Sequence, residues 1–456
     1  RYMKEKFIKS TIVLIIGGII TKILGMLNKV IMARYLGTEG LGIYMMILPS
    51  FILFLNISSF GFPVAVSKLV SEDDRNNKKL IFTSIIFVLF INFLLMIFIL
   101  FIAKYLSFNL LHEKRSYYAI MAISLVIPFA SISGILRSYF FGRERMGPHV
   151  ISHITEDIVR IIAMVIGVPF FMHKGVEYAV CFVILTNIIS EVTSILILFF
   201  FLPKNFSLTR SDVKPSKIYL RDCLSISIPT TATRLIGSIC YFLEPIILTG
   251  VLLYVGYPNS VIVREYGIIS GYALPLILLP SFFSNAISQA LLPVITKKYK
   301  MRDIAGVKRK IRQGIAYSLL IGIPLTIVLE MFPDKLLKLL YNTTSGVSYI
   351  RFLAPVCLLQ YIQAPLASTL DALGMSKENF TSNLAGVLTR LVMLPLFSLI
   401  KRYAVEDRYN VKEDLYQSET DDTMAAINGG IKLLKSYING MEIMKTETHL
   451  CTDKIN

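Results

Sequence analysis

The 456-residue chain contains no tryptophan, and only 17% of its residues are charged against 54% hydrophobic. So little charge excludes an ordinary soluble domain, in which about 25% of residues are charged. Without Trp, an aromatic belt at a membrane interface must be built from Tyr and Phe. Carboxylates are scarce too: 30 Asp and Glu face 47 Lys and Arg, a net charge of +17. Five cysteines (Cys181, Cys223, Cys240, Cys357, Cys451) are scattered with no paired spacing. They read as small buried apolar residues rather than a disulfide framework or a zinc site. A Walker loop, a Gly-x-Ser-x-Gly elbow and a His/Glu zinc motif are all missing. Catalytic residues, a metal centre and a cofactor are therefore not expected.

What is present is apolar sequence in long runs. About 20 such residues cross a bilayer, and eleven spans are expected, near 9–34, 40–70, 79–104, 117–142, 150–174, 176–202, 222–252, 264–297, 310–332, 347–372 and 377–401. The fold class is thus an all-α polytopic membrane protein. The basic residues gather in alternate loops. The richest loop holds Lys297, Lys298, Lys300, Arg302, Lys308, Arg309, Lys310 and Arg312, on the same side as Lys4, Lys6 and Lys9. Loop positive charge marks the cytoplasmic face, so the N-terminus is expected inside the cell. The positive charge is therefore topological and no nucleic-acid partner is implied. The first apolar run leads straight into others, unlike a cleavable signal.

The chain is also written twice. Thr21-Lys22-Ile23-Leu24-Gly25 recurs as Thr233-Arg234-Leu235-Ile236-Gly237, and Lys9 as Arg221, at an offset of 212 residues. Leu48-Pro49 is echoed by Leu274-Pro275, and Pro63-Val64 by Pro293-Val294. Repeated bundles around a central substrate cavity are a common transporter plan. The expected organisation is a six-helix lobe (1–203), an interlobe loop (204–221), a second lobe (222–402) and an acidic tail (403–456). In the tail, Ile427, Ile431, Leu434, Ile438 and Met441 fall at amphipathic-helix spacing. Pro49, Gly61, Pro63, Pro229, Pro245, Pro275 and Pro280 mark expected kinks.

Charge inside a membrane span is costly and points to function. In the first span Gly18, Lys22, Gly25 and Lys29 share one helical face. Arg234 follows a cluster of threonines, while Arg137 and Arg390 are further cations within spans. Asn285 and Gln289, at i, i+4, suit either sugar hydroxyls or bonds between helices. Glu191 reads equally as a proton or sodium site and as the counter-ion of Lys22 or Arg137. Glu244 is split between ion-pair partner and coupling-ion site. A mainly cationic lining attracts anions, for which Arg offers a bidentate fork.

The stretch SYFFGRERMGP from Ser138 to Pro148, followed by TEDIVR from Thr155 to Arg160, resembles the polysaccharide-exporter branch of the multidrug/oligosaccharidyl-lipid/polysaccharide superfamily. Within it the stage V sporulation protein B group is the nearest match. GLGIY (Gly40–Tyr44), GFPVA (Gly61–Ala65), SKLVSE (Ser67–Glu72), LLPVIT (Leu291–Thr296) and LDALG (Leu370–Gly374) fit the same pattern. The resemblance implies alternating access and a lipid-linked glycan substrate: an undecaprenyl-pyrophosphate-linked oligosaccharide or peptidoglycan precursor. It places Lys22 at a cationic position of the first span. A second such position is occupied here by Asn28, beside Lys29. Families of this kind continue to twelve or fourteen spans, so an incomplete C-terminal lobe is expected.

The sequence therefore points to a flippase in a bacterial cytoplasmic membrane whose partners are membrane lipids, a lipid-linked glycan and a coupling ion, sodium or proton. Its substrate-binding candidates are Lys22, Asn28, Lys29, Arg137, Arg234, Asn285, Gln289 and Arg390. Glu191 and Glu244 are the coupling-ion candidates. A cation-coupled multidrug or metabolite antiporter of the same fold is the alternative, and a non-transporting scaffold for wall assembly a third.

Overall fold

The computed structural model describes residues 2–72, 76–202 and 214–409. The expected amphipathic helix of the tail and Cys451 lie outside the described residues. Regular structure among the described residues is helical throughout. That is what an apolar chain in hydrocarbon requires, since each backbone N–H and C=O must be satisfied within its own segment. Contacts divide the chain into two compact units, Arg1–Ile246 and Ile247–Asn456.

The first unit begins with α1 (Tyr2–Ser59), which breaks at Gly37, where φ is 64° and ψ −174°. That conformation is open essentially to glycine alone. The break is needed: the apolar stretch Ile16–Ser59 is 44 residues, at about 1.5 Å per residue more than two hydrocarbon thicknesses of about 30 Å. Gly61, at φ 65°, separates α1 from α2 (Phe62–Ser71), which starts on Pro63. Then come α3 (Asn77–Tyr105), capped by Asn76 and continued by a π-helical turn Leu106–Leu110, and α4 (Tyr117–Gly142). The unit continues with α5 (Met146–Met172), α6 (Val176–Phe200) and most of α7 (Lys217–Val255).

Within this unit α5 lies against α6 and α1, and α4 against α6 and α3. One core joins Phe62, Val66, Leu80, Ile135, Phe140 and Cys223. Polar side chains tie the helices as well. Ser58 and Ser131 share a hydrogen bond of 3.0 Å, and Asn92 Nδ2 donates to Ser131 Oγ at 3.2 Å. Asn56 Nδ2 donates to Ser238 Oγ of α7 at 2.6 Å.

In the second unit α8 (Asn259–Gly267), a π-helical turn Ile268–Ala273 and α9 (Leu274–Ile277) lead to α10 (Ser281–Lys300). The two halves of this expected span meet at 51°, at the Leu278–Pro280 break where prolines were expected to bend the chain. Next are α11 (Ile304–Met331), α12 (Pro333–Tyr341), α13 (Val347–Ala372) and α14 (Ser376–Tyr409). Helix α13 packs on both α10 and α11, and Tyr361 donates its hydroxyl to the Ile277 carbonyl at 2.6 Å.

The expected spans fall on helical segments but not on one helix each: those near 9–34 and 40–70 share α1, the second running past Gly61 into α2, and that near 264–297 is built from α8, a π-helical turn, α9 and α10. By length and apolar content alone, seven helices can cross a membrane, or eight if the bent pair is one span. The two limbs of α1 enter that number once. Helix α5 is left out of it because Glu156, Asp157 and Arg160 sit in its middle. The short α12 was not expected. It starts at Pro333, buries Leu337 and Tyr341 one turn apart, and ends at Asn342 in the left-handed region.

Candidate functional site

Lys22 and Lys29 project from exposed positions on α1. Between them Gly25, like Gly18 before them, has open space where a Cβ would stand, so this face is smooth except for two ammonium groups. Neither lysine meets a carboxylate among the described residues. The pairing of Lys22 with a buried carboxylate, open on sequence grounds, is therefore not what the fold does. Arg234 repeats the arrangement on α7: it is exposed, unpaired among the described residues and followed by Gly237, again with open space at the Cβ position. Thr233, before it, bonds back to the Thr230 carbonyl at 3.0 Å.

The other central cation behaves differently. Arg137 of α4 points into the protein, with its side chain 12% exposed, and its Nη2 lies 2.7 Å from Glu156 Oε2 and 2.7 Å from Glu191 Oε2. The same nitrogen reaches Ser133 Oγ at 3.0 Å and Ser194 Oγ at 3.1 Å. Ser133 also donates to Glu191. Both ring nitrogens of His153 lie 3.4 Å from Arg137 Nη1. On α5, Arg160 pairs with Glu156 one turn away and with Asp157 at 3.1 Å, and reaches Ser190 of α6 at 3.3 Å. Asn28 Nδ2 of α1 donates to Asp157 Oδ1 at 3.4 Å. Charges from α4, α5 and α6 thus form a single buried network with α1 at its rim.

This geometry corrects two readings. Arg137 is neutralised by carboxylates on both sides and offers no free charge to a substrate. Asn28 is buried and turned to α5, because it lies on the packed side of α1 while Lys22 and Lys29 lie on the open one. The ambiguity at Glu191 is resolved in part: it is a partner of Arg137, not of Lys22. The Glu156–Arg160 motif holds helices together through a larger set of groups. Sequence reasoning did not select Ser133, His153 or Asp157. The available signal was the row His153, Glu156, Asp157 and Arg160, at i, i+3, i+4, i+7 on one face of α5.

Glu244 is half-buried and not free. Asn285 and Gln289 are exposed on one face of α10. Arg390 falls within α14, and its side chain is outside the described residues. Asp371 accepts from Asn379 Nδ2 at 3.1 Å, and Gln360 buries a carbonyl oxygen without a partner. Cys181, Cys223, Cys240 and Cys357 form no disulfide with one another.

Residues 7–298 match the family described as polysaccharide biosynthesis protein. The chain belongs to that family. Residues 269–396 also match the MatE family. Stage V sporulation protein B of Bacillus subtilis (strain 168) is 33% identical over 397 residues, covering 85% of this chain and 77% of that protein. Lipid II flippase MurJ of the same organism is 23% identical over 433 residues, covering 88% of this chain and 79% of its own. Among solved structures, an inward-facing multidrug resistance MATE family transporter of the MOP superfamily superposes with a TM-score of 0.71 at 13% identity, covering 95% of each chain. At that identity the likeness shows the fold: this family member is a multi-pass, all-α membrane protein with a MATE-like architecture.

Proposed function

We propose that this protein is a flippase that moves an undecaprenyl-pyrophosphate-linked oligosaccharide or peptidoglycan precursor across the bacterial cytoplasmic membrane by alternating access. The observation that carries this reading is that Lys22, Lys29 and Arg234 remain uncompensated among the described residues at exposed positions of apolar helices, whereas Arg137 is buried between Glu156 and Glu191. An unpaired cation near the bilayer centre costs about 2.5–3.5 kcal/mol on insertion scales. Such a cost at Lys22 and Arg234, both in the repeated motif, makes sense where an anionic group visits.

Lys22 and Lys29 supply point charges for the pyrophosphate, and Arg234 a bidentate fork. Gly18, Gly25 and Gly237 leave room for the ligand to approach the helix backbones. Arg137 and Asn28 take no part in substrate contact. The N-terminus lies on the cytoplasmic side, so the lipid is loaded from the inner leaflet. The sign of the free charge disfavours export of lipophilic cations, which call for carboxylates.

The test is the leaflet exposure of undecaprenyl-linked precursors in cells depleted of their other flippases. Expression of this chain is expected to restore outer-leaflet precursor, and the Lys22→Ala, Arg234→Ala double variant to fail at equal membrane abundance. Restoration by the double variant would overturn the cationic site.

A further inference from the structure

The network around Arg137 does not balance. It contains three carboxylates, Glu156, Asp157 and Glu191, against two guanidinium groups, Arg137 and Arg160. An uncompensated charge in a buried site is strongly destabilising, so among the described residues one further positive charge, a sixth, is called for. We propose that the network is a proton site, in which Glu191 takes up and releases one proton, and that the proton rather than sodium is the coupling ion of the transporter. This rests on the transport reading above.

The partners of each carboxylate single out Glu191. Glu156 accepts from both guanidinium groups, Arg137 through one oxygen and Arg160 through the other. Asp157 shares the Arg160 guanidinium with Glu156 but has its Nη1 undivided, and accepts from the Asn28 amide on the less buried side. Glu191 has a neutral serine hydroxyl and a half-share in one Arg137 nitrogen that Glu156 also uses. When two carboxylates share one site, the less compensated one takes the proton.

The remaining groups facing the site do not compete for the role. His153 has both ring nitrogens 3.4 Å from Arg137 Nη1, where an imidazolium would meet a like charge, and its Nδ1 lies farther, 3.7 Å, from Glu156 Oε2, which both guanidinium groups already engage. His149 stands behind it, in edge contact with the His153 ring at 5.0 Å. From α1 come Asn28 and the half-buried phenol of Tyr44, and from α6 only the hydroxyls of Ser190 and Ser194 besides Glu191 itself.

The donor set also separates the two candidate ions. Sodium needs several oxygen ligands and no adjacent positive charge. Here the carboxylates are faced by guanidinium N–H groups. A proton needs a single oxygen lone pair. Its uptake converts Glu191 from carboxylate to carboxylic acid and brings the network from one negative charge to zero. Arg137 is then balanced by Glu156 alone, and the tie between α4 and α6 becomes a bond between a cation and a neutral acid, weaker than the ion pair it replaces. The proton site thus loosens one helix contact on loading.

The experiment is infrared difference spectroscopy of the full chain in lipid nanodiscs, without substrate, stepped between acid and alkaline buffer. The expected result is one carboxylic-acid C=O band per chain that grows with acid, is unchanged when choline replaces sodium, and is lost in Glu191→Gln. In Glu191→Asp, which retains a carboxyl and guards against a folding failure, the band is expected to shift in pH rather than vanish. A band that survives in Glu191→Gln, one abolished by Glu156→Gln alone, its absence from the unmodified protein, or its suppression by sodium would each overturn the proposal. Because the band is read on resting protein, an intact band with no precursor transfer would refute the substrate reading and leave the proton site standing.

Discussion

Arg137 holds Glu156 of α5 and Glu191 of α6 with a single nitrogen, Nη2, at 2.7 Å from each. One guanidinium on α4 therefore closes a three-helix junction. Breaking a buried pair by removing one partner costs about 3–5 kcal/mol, because it strands the other charge. Arg137→Leu is expected to lose stability on that scale, measured by denaturant unfolding of the purified protein. Adding Glu191→Gln, which removes one stranded charge, should recover part of the loss. A single variant as stable as the parent would show that the junction carries no weight.

The open cations should behave in the opposite way. Lys22 and Arg234 are exposed and have no carboxylate among the described residues. Replacing either by Ala should leave stability within about 0.5 kcal/mol, the range for surface changes, while transfer of precursor falls sharply. If Lys22→Ala instead unfolds the protein, the residue is structural and the proposed anion site is wrong.

At Gly61 a side chain has nowhere to go. The backbone is at φ 65°, and a Cβ would stand 2.6 Å from Thr230 Oγ1 and 2.8 Å from the Ser227 carbonyl of α7. Gly61→Ala combines left-handed backbone strain, on the order of 1–3 kcal/mol, with a clash against backbone. The expected outcome is a loss at or above that range in the same unfolding assay, whereas Gly25→Ala, which meets open space, should unfold like the parent. Equal effects at the two glycines would contradict the packing of α7 on this turn.

Acid should affect the hairpin between α10 and α11 before neutral pH does. Asp303 Oδ2 accepts from Lys298 Nζ at 2.6 Å, and Oδ1 from the Gly306 N–H at 2.8 Å. The lysine first, then the backbone donor, hold the Asp303 carboxyl below the usual carboxylate range. Its value in the unfolded chain is about 3.9. A depressed value in the folded state means that its contribution is fully present above about pH 4 and is lost as pH falls through the folded value. Hydrogen exchange at residues 303–307, corrected for intrinsic rates, should show constant protection from neutral pH down to about 4 and a decline below. Asp303→Asn should remove that decline.

Much of this was legible in the sequence for a physical reason. Apolar runs specify helices in lipid almost without competition, so the expected spans fall on helical segments, while the breaks at Gly61 and near Pro280 divide two of them. The recurrence of Thr-Lys-Ile-Leu-Gly as Thr-Arg-Leu-Ile-Gly located two cations that the fold leaves open. What the sequence could not settle was which charge meets which. Asn28 and Lys29 are neighbours, but the roughly 100° of rotation between them turns one into the protein and leaves the other outside. Whether Arg137 was a substrate contact or a counter-ion depended on the register of α4 against α5 and α6, which no spacing within one helix reveals. Helix α12 was missed because nine residues carry too short a periodic signal beside a long span.

Helix α1 is invested unevenly. Beyond Gly37, Leu41, Ile43, Met46 and Ile47 are fully enclosed, whereas Ile16, Ile19, Ile20, Ile23 and Leu27 on the other limb are exposed. Lys22 belongs to the second group. One end of the helix is thus an anchor, and the other, bearing the charge, is a lever arm joined to it by the residue type most tolerant of rotation. The arm is held along one side only, where Asn28, Val30, Ala33 and Leu36 are buried, so its charged side can meet a visitor without opening the core.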